Sequence, residues 1–257
     1  MLALITGASS GIGKEISIYL SKLGYDLIIV GRRKTKLEET KKLCKTKTDI
    51  IELDLSIEEN VFKLYELNKD KNIDFLVNNA GFGLFGFFTE TDLDTELKMI
   101  NLNIKTVHIL TKLFLKDFTN RNYGYILNVA SSAGFMAGPK LSTYYSTKNY
   151  VLKQTMAINE ELKHQNSKVV ITALCPGPVD TEFNKVAHGS FNTKSASAKY
   201  VAKYAVDKTL KRKLIIIPTL KMKLAIFFNK LLPYTIALKL NYYIQNAKIK
   251  NSQKLHK

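Results

Sequence analysis

The sequence predicts an α/β fold: a doubly wound, seven-stranded parallel sheet with helices on both faces and a C-terminal apolar helical extension. Three observations predict it. Seven short apolar runs alternate with longer stretches of helical period, the pattern of strands joined by helical crossovers. A glycine-rich turn, Thr6-Gly7-Ala8-Ser9-Ser10-Gly11-Ile12-Gly13, follows the first run directly. The 257 residues, 46% apolar and 24% charged, suffice for one large domain with a sizeable core, which excludes disordered, collagenous and disulfide-built chains.

In chain order, strands are expected at Leu2 to Thr6, Asp26 to Val30, Asp49 to Leu53, Phe75 to Val77, Tyr125 to Val129, Val169 to Leu174 and Leu214 to Ile217. A parallel sheet covered on both faces has strands of this short apolar kind. Helices are expected to begin near Gly11, Lys34, Ser56, Asp92, Ser142 and Ser195, several behind a residue able to cap the first turn. No linker interrupts residues 1–217, so residues 1–257 read as one domain. Residues 181–197 are polar and small, lie between a strand and a helix, and read as a substrate lid, against the alternative of an inert loop. Residues 218–250 are apolar but broken by Lys221, Lys223, Lys230 and Lys239, with Pro233 dividing them into two helices. Three readings of this extension compete: a cover for an acyl-binding crevice, an oligomer contact, or an interfacial anchor with its lysines toward anionic lipid.

Lys and Arg number 39 against 22 Asp and Glu, a formal net charge of +17. The excess is local. Residues 194–257 hold 15 basic and one acidic residue, net +14, and the rest of the chain only +3. Only four of the 39 are arginine, which argues against a nucleic-acid partner, since groove reading leans on the guanidinium fork. Compositional bias toward lysine on solvated faces is the competing explanation of the charge. Cys44 and Cys175 have no metal or redox spacing and read as reduced thiols. The four histidines, His108, His164, His188 and His256, show no ligand spacing, so no metal is expected. With no leader-like start, the expected location is cytoplasmic, with a peripheral contact on the inner face of a membrane as the variant that the extension suggests.

The glycine turn lies between a strand and a helix, where backbone N–H groups and the positive helix end can hold a pyrophosphate. The second strand ends in Val30-Gly31-Arg32-Arg33-Lys34, with cations where an NAD enzyme usually offers a carboxylate to the ribose. NADP(H) is therefore expected over NAD(H), the alternative being a solvated cluster that opens the next helix. Tyr144 and Lys148 stand four apart on one helix face. A cation about 4 Å from a phenol, at an effective dielectric of about 20, contributes up to about 4 kcal/mol, enough to bring Tyr144 near working pH as a general acid or base. Ser131, at the end of the strand before, reaches the same crevice.

Together the glycine turn, Asn78-Asn79-Ala80-Gly81, Asn103, Ser131, Tyr144, Lys148 and Pro176-Gly177 resemble, in order and spacing, the single-domain branch of the short-chain dehydrogenase/reductase family over about residues 1–217. The resemblance implies a Rossmann fold and a homo-oligomer. It implies cofactor contacts from Thr6, Gly7, Ser9, Ser10, Gly11, Ile12 and Gly13, from Arg32 and Arg33, from Asp54 and Leu55 at the adenine, from Asn79, Ala80 and Gly81, and from Pro176, Gly177, Val179 and Thr181 beside the nicotinamide. It makes Tyr144 the acid/base, Lys148 both the residue that lowers the tyrosine pKa and a ribose ligand, Ser131 the substrate-orienting hydroxyl, and Asn103 the holder of a relay water, with Asn101 a neighbouring candidate. The implied reaction is hydride transfer between nicotinamide C4 and the carbonyl or carbinol carbon of a hydrophobic long-chain, 3-oxoacyl or steroid-like substrate. The alternative is a cofactor-binding regulator or peripheral membrane protein without turnover.

Overall fold

A computed structural model describes the backbone of residues 1–182 and 195–255, and the side chains of these up to residue 246. Seven parallel strands form the sheet: β1 (Leu2–Thr6), β2 (Asp26–Gly31), β3 (Thr48–Glu52), β4 (Phe75–Asn78), β5 (Tyr125–Val129), β6 (Val170–Leu174) and β9 (Ile215–Ile216). Their spatial order is β3-β2-β1-β4-β5-β6-β9, the doubly wound arrangement. The last strand is shorter than expected because only Ile215 and Ile216 find register partners, Ala173 and Leu174 of β6. Two further two-residue strands, β7 (Val179–Asp180) and β8 (Ala196–Ser197), pair in parallel outside this sheet. Most of the expected lid lies between them, outside the described residues.

Alternate residues of each strand enter different cores. Ala3, Ile5, Leu27 and Ile29 pack with Ile16 and Leu20 of α1 (Gly11–Lys22) and with Val201 and Val206 of α7 (Ala198–Leu210). Leu4, Ile28 and Val30 pack on the other face with Leu64 of α3 (Glu58–Glu66) and Phe114 and Phe118 of α5 (Thr106–Asn120). Both parities of each strand are therefore apolar. The remaining helices are α2 (Lys34–Lys41), α4 (Leu93–Ile100), which runs into a π-helical turn at Asn101–Lys105, and α6 (Ser142–His164). Asp92 caps α4 by accepting from the Thr95 N–H at 2.8 Å. Past β9, α8 (Leu220–Leu231) and α9 (Tyr234–Leu255) flank Pro233, the division that proline predicts.

Strand order reverses between β1 and β4, which opens a crevice beyond the carboxyl ends of the strands. One buried polar chain crosses the sheet below it. Asn78 on β4 donates to Asn128 Oδ1 on β5 at 2.9 Å and to Thr111 of α5 at 3.1 Å, and Asn128 donates to Thr155 of α6 at 3.0 Å. Asn128→Val removes the central member and leaves Asn78 and Thr155 buried without it. The expected loss is about 1 to 3 kcal/mol of stability, read as a lower urea midpoint; an unchanged midpoint would show that the chain contributes nothing.

Candidate active site

The crevice is a cleft of about 380 Å³ whose walls come from the ends of β1, β2, β4, β5 and β6. At its floor, Gly7 and Gly11 have φ of +67° and +54°, a region L side chains rarely adopt. A side chain at Gly13 would lie 2.4 Å from the Gly7 carbonyl oxygen, so α1 can approach β1 only through glycine. Ile12 and Ser10 line the cleft above this turn. The first turn of α1 carries no acidic residue and Ser10 makes no side-chain cap bond, and the carboxylate at this positive helix end comes from elsewhere, from Glu182, which hydrogen-bonds the Ser10 side chain.

At the end of β2 the two arginines diverge. Arg33 donates to Ser9 Oγ at 3.3 Å and to Ser10 Oγ at 3.2 Å, and pairs with Glu182 at 2.8 Å. Arg32 lies 3.5 Å from Asp54. Burial pushes the Asp54 carboxyl up, but the Ser56 N–H and hydroxyl, together with Arg32, hold it below its ordinary value. Leu55, next to it, is buried and lines the cleft. Glu182, the only carboxylate of residues 181–197, was not anticipated; nothing local in the sequence ties it to a residue 149 positions away. Thr181 sits against α1: a side chain at Gly11 would lie 3.0 Å from its methyl carbon.

On the β4 side, Asn79 donates to the carbonyls of Thr6 at 3.0 Å and Gly7 at 3.1 Å, while the Ala80 N–H donates to the Thr6 hydroxyl at 3.1 Å. Gly81 is wedged between two of the expected residues. A Cβ there would meet Asn103 Oδ1 at 2.8 Å and Lys148 Nζ at 3.4 Å. Across the cleft, the Pro176 carbonyl accepts from the Ser132 N–H at 2.8 Å, Gly177 lies beneath the Met222 side chain of α8, and Val179 is buried.

Ser131, Tyr144 and Lys148 converge where β5 ends. Ser131 and Tyr144 share a hydrogen bond. Tyr144 and Lys148 lie on the first turns of α6, with the ammonium 5.9 Å from the phenol ring centre. Asn103 is wholly buried in the π-helical turn; it donates to the Phe82 carbonyl at 2.9 Å and to Thr147 Oγ1 at 3.0 Å, and Thr147 donates to the Tyr144 carbonyl at 2.7 Å. It is Asn103, rather than Asn101, that reaches α6. The rest of the cleft is apolar or neutral, lined by Phe82, Phe85, Leu141 and Tyr145. Gln245 of α9 donates to the Tyr145 hydroxyl there, so the extension builds part of the wall.

A sequence model described as short chain dehydrogenase matches residues 1–189. The chain belongs to the short-chain dehydrogenase family. An uncharacterized oxidoreductase of Staphylococcus saprophyticus is 35% identical over 186 residues, covering 70% of this short-chain dehydrogenase and 79% of that protein. The 17-beta-hydroxysteroid dehydrogenase type 3 of Rattus norvegicus is 32% identical over 212 residues, covering 77% of this chain and 68% of its own. Among solved structures, a short-chain dehydrogenase from Sphingobium yanoikuyae in complex with NADPH superposes with a TM-score of 0.80 at 27% identity, covering 85% of this chain and 88% of the other.

One expectation about this short-chain dehydrogenase is corrected. The i, i+4 spacing predicts that Lys148 lowers the Tyr144 pKa, but here burial pushes the phenol up to about 12, with only the Ser131 hydrogen bond acting downward. The physical reason is where the ammonium points. Lys148 Nζ donates to the Val129 carbonyl at 2.8 Å, and its own burial lowers it to about 8. Between pH 8 and the ordinary lysine value of about 10.4, the unfolded chain therefore binds the proton that the fold releases, so stability rises with pH across that window. Wild type should gain on Lys148→Met in urea midpoint from pH 8 to 10. A difference that stays flat over that range would mean that Lys148 titrates normally.

Proposed function

We propose that this short-chain dehydrogenase is an NADP(H)-dependent oxidoreductase that interconverts a hydrophobic ketone and its secondary alcohol. The observation that carries the reading is the convergence of Ser131, Tyr144 and Lys148 at the inner end of a cleft whose outer end holds Arg33 over Ser9 and Ser10. The cleft residues fit a dinucleotide. Gly7, Gly11 and Gly13 keep the turn bare at the start of α1, as a pyrophosphate requires, while Arg33 and the Ser9 and Ser10 hydroxyls suit a ribose 2′-phosphate that takes the place Glu182 holds on Arg33. Asp54 and Leu55 would flank the adenine, Asn79, Ala80 and Gly81 the central wall, and Pro176, Gly177, Val179 and Thr181 the nicotinamide.

A bound nicotinamide supplies or accepts the hydride, so the protein orients the two carbons and manages one proton. In ketone reduction the Tyr144 O–H bond breaks as its proton passes to the carbonyl oxygen, and Ser131 donates a hydrogen bond to the same oxygen. A phenol near 12 is fully protonated at neutral pH, so Tyr144 stands ready as the acid. Lys148, held against the Val129 carbonyl with its ammonium 5.9 Å from the phenol ring centre, is the expected ribose ligand. Asn103 acts through Thr147, fixing the turn of α6 that bears Tyr144, and is the expected partner of a relay water. The substrate class rests on the apolar wall of Phe82, Phe85 and Leu141 and on the steroid enzyme among the relatives. A homo-oligomer belongs to the same reading, supported by exposed Leu93 and Leu97 on α4 and Phe88 just before it.

With NADPH and a panel of steroid ketones and 3-oxoacyl thioesters, Tyr144→Phe should cut kcat by about 10² to 10⁴ fold while NADPH binding is kept. A variant as fast as wild type would remove Tyr144 from the chemistry, and a wild type inert on the whole panel would favour the non-catalytic reading. Arg33→Asp should weaken NADPH by at least about tenfold more than NADH in fluorescence titration; equal losses would show that Arg33 does not read the phosphate.

A further inference from the structure

The hairpin of α8 and α9 shows a face that neither the cleft nor the sheet uses. Its inward side is settled. Met222 and Ile226 of α8, and Ala237, Asn241 and Gln245 of α9, pack on the body at helical spacing, with Asn241 donating to the Ala137 carbonyl at 2.9 Å and Gln245 reaching Tyr145. Asn229 and Asn241 join the two helices. The opposite faces are large and apolar: Leu224, Phe227, Phe228 and Leu231 on α8, and Leu240 and Tyr243 on α9, with Phe227 and Phe228 57% and 60% exposed. Isolated exposed apolar residues are ordinary, but a continuous row of them along two joined helices marks an interaction surface.

Charge selects the partner. Residues 208–257 contain twelve Lys and Arg and no Asp or Glu, and Lys221, Lys223 and Lys239 are exposed around the apolar row. A second copy packed face to face would set lysine against lysine with no carboxylate to pair. A head-to-tail copy fares little better, because residues 1–193 carry a net +3 and offer no excess of negative charge. A bilayer surface bearing anionic headgroups satisfies both features, taking the aromatic and aliphatic side chains at the acyl boundary and the lysines at the phosphates. No described helix is long and apolar enough to cross a membrane, so the hairpin would lie in the plane of the interface.

We infer that the outward face of α8 and α9 docks this protein on an anionic lipid bilayer. Because Met222 covers Gly177 and Gln245 lines the cleft from the inner side of the same two helices, docking seats on the bilayer the helical pair that bounds this end of the cleft. Binding to lipid stands apart from the reaction at Tyr144 and is measured without turnover.

The test is flotation of the full chain with vesicles of phosphatidylcholine alone or containing about 30% phosphatidylglycerol. Each basic residue near an anionic surface strengthens binding severalfold, so partitioning onto the anionic vesicles should be at least about tenfold greater. Phe227→Glu/Phe228→Glu and, separately, Lys221→Gln/Lys223→Gln/Lys239→Gln should each lower it by about tenfold or more, and added salt should weaken it. Circular dichroism and the urea midpoint of both variants, unchanged from wild type, establish that the fold is kept. Equal partitioning onto the two vesicle types, or full binding by both variants, would overturn the inference. So would a wild-type dimer that Phe227→Glu/Phe228→Glu splits while no vesicle binding is seen, since the face would then belong to a second copy.

Discussion

The site depends on a hydrogen-bonded knot where β1 and β4 end. Thr6 donates its hydroxyl proton to the Val77 carbonyl at 3.2 Å and accepts the N–H groups of Asn79 and Ala80 at 3.0 and 3.1 Å. Asn79 returns the favour of geometry by clasping the carbonyls of Thr6 and Gly7. These groups lie at the point where the strand order reverses, so each would otherwise be a backbone donor or acceptor left at the end of a ladder. Closing them on one another holds the glycine turn open toward the cleft. Gly7 and Gly13 follow as a requirement, because a Cβ at either would strike the knot itself.

From that knot the fold carries order toward the reacting end through buried polar contacts rather than apolar packing. The chain from Thr111 through Asn78 and Asn128 to Thr155 fixes β4 and β5 against α5 and α6. Asn103 and Thr147 then set the first turns of α6, and with them Tyr144. Apolar contacts tolerate small slides, whereas a directional hydrogen bond weakens steeply once misaligned, so this choice of contact fixes the position of the Tyr144 side chain closely. The ammonium of Lys148 is the costly member of the arrangement: it is buried, and its bond to the Val129 carbonyl stands against its desolvation. Its lowered pKa is the direct expression of that imbalance.

Much of this was legible in the sequence, for physical reasons that also explain what was not. The strands could be located because burial on both faces makes their residues continuously apolar, and the glycine turn because only glycine fits its backbone angles. Tyr144 and Lys148 could be paired because helical spacing is local. Spacing, however, places Cβ atoms and says nothing of where a four-carbon stem turns, so the direction of the Tyr144 shift was beyond it. Glu182 on Arg33, Gln245 on Tyr145 and Asn103 on Thr147 join residues 149, 100 and 44 positions apart, and such contacts leave no local periodicity to read.

The +17 charge belongs to the same division between local and tertiary information. The sequence places most of it in residues 194–257 but leaves open whether those lysines are bias, a contact between copies or a lipid-facing rim. The inward faces of α8 and α9 narrow the choice, because they are packed on the body, with Gln245 in the cleft wall, and cannot also form the outward contact. What is left outside is apolar and ringed by cations without carboxylates, a combination that solvation of lysine alone does not require. The two faces of one helical pair thus differ: neutral amides and a methionine toward the body of the protein, phenylalanine and leucine outward. A basic terminal segment that looked separate from the chemistry becomes, in this reading, the wall through which an apolar substrate and the reacting groups come together.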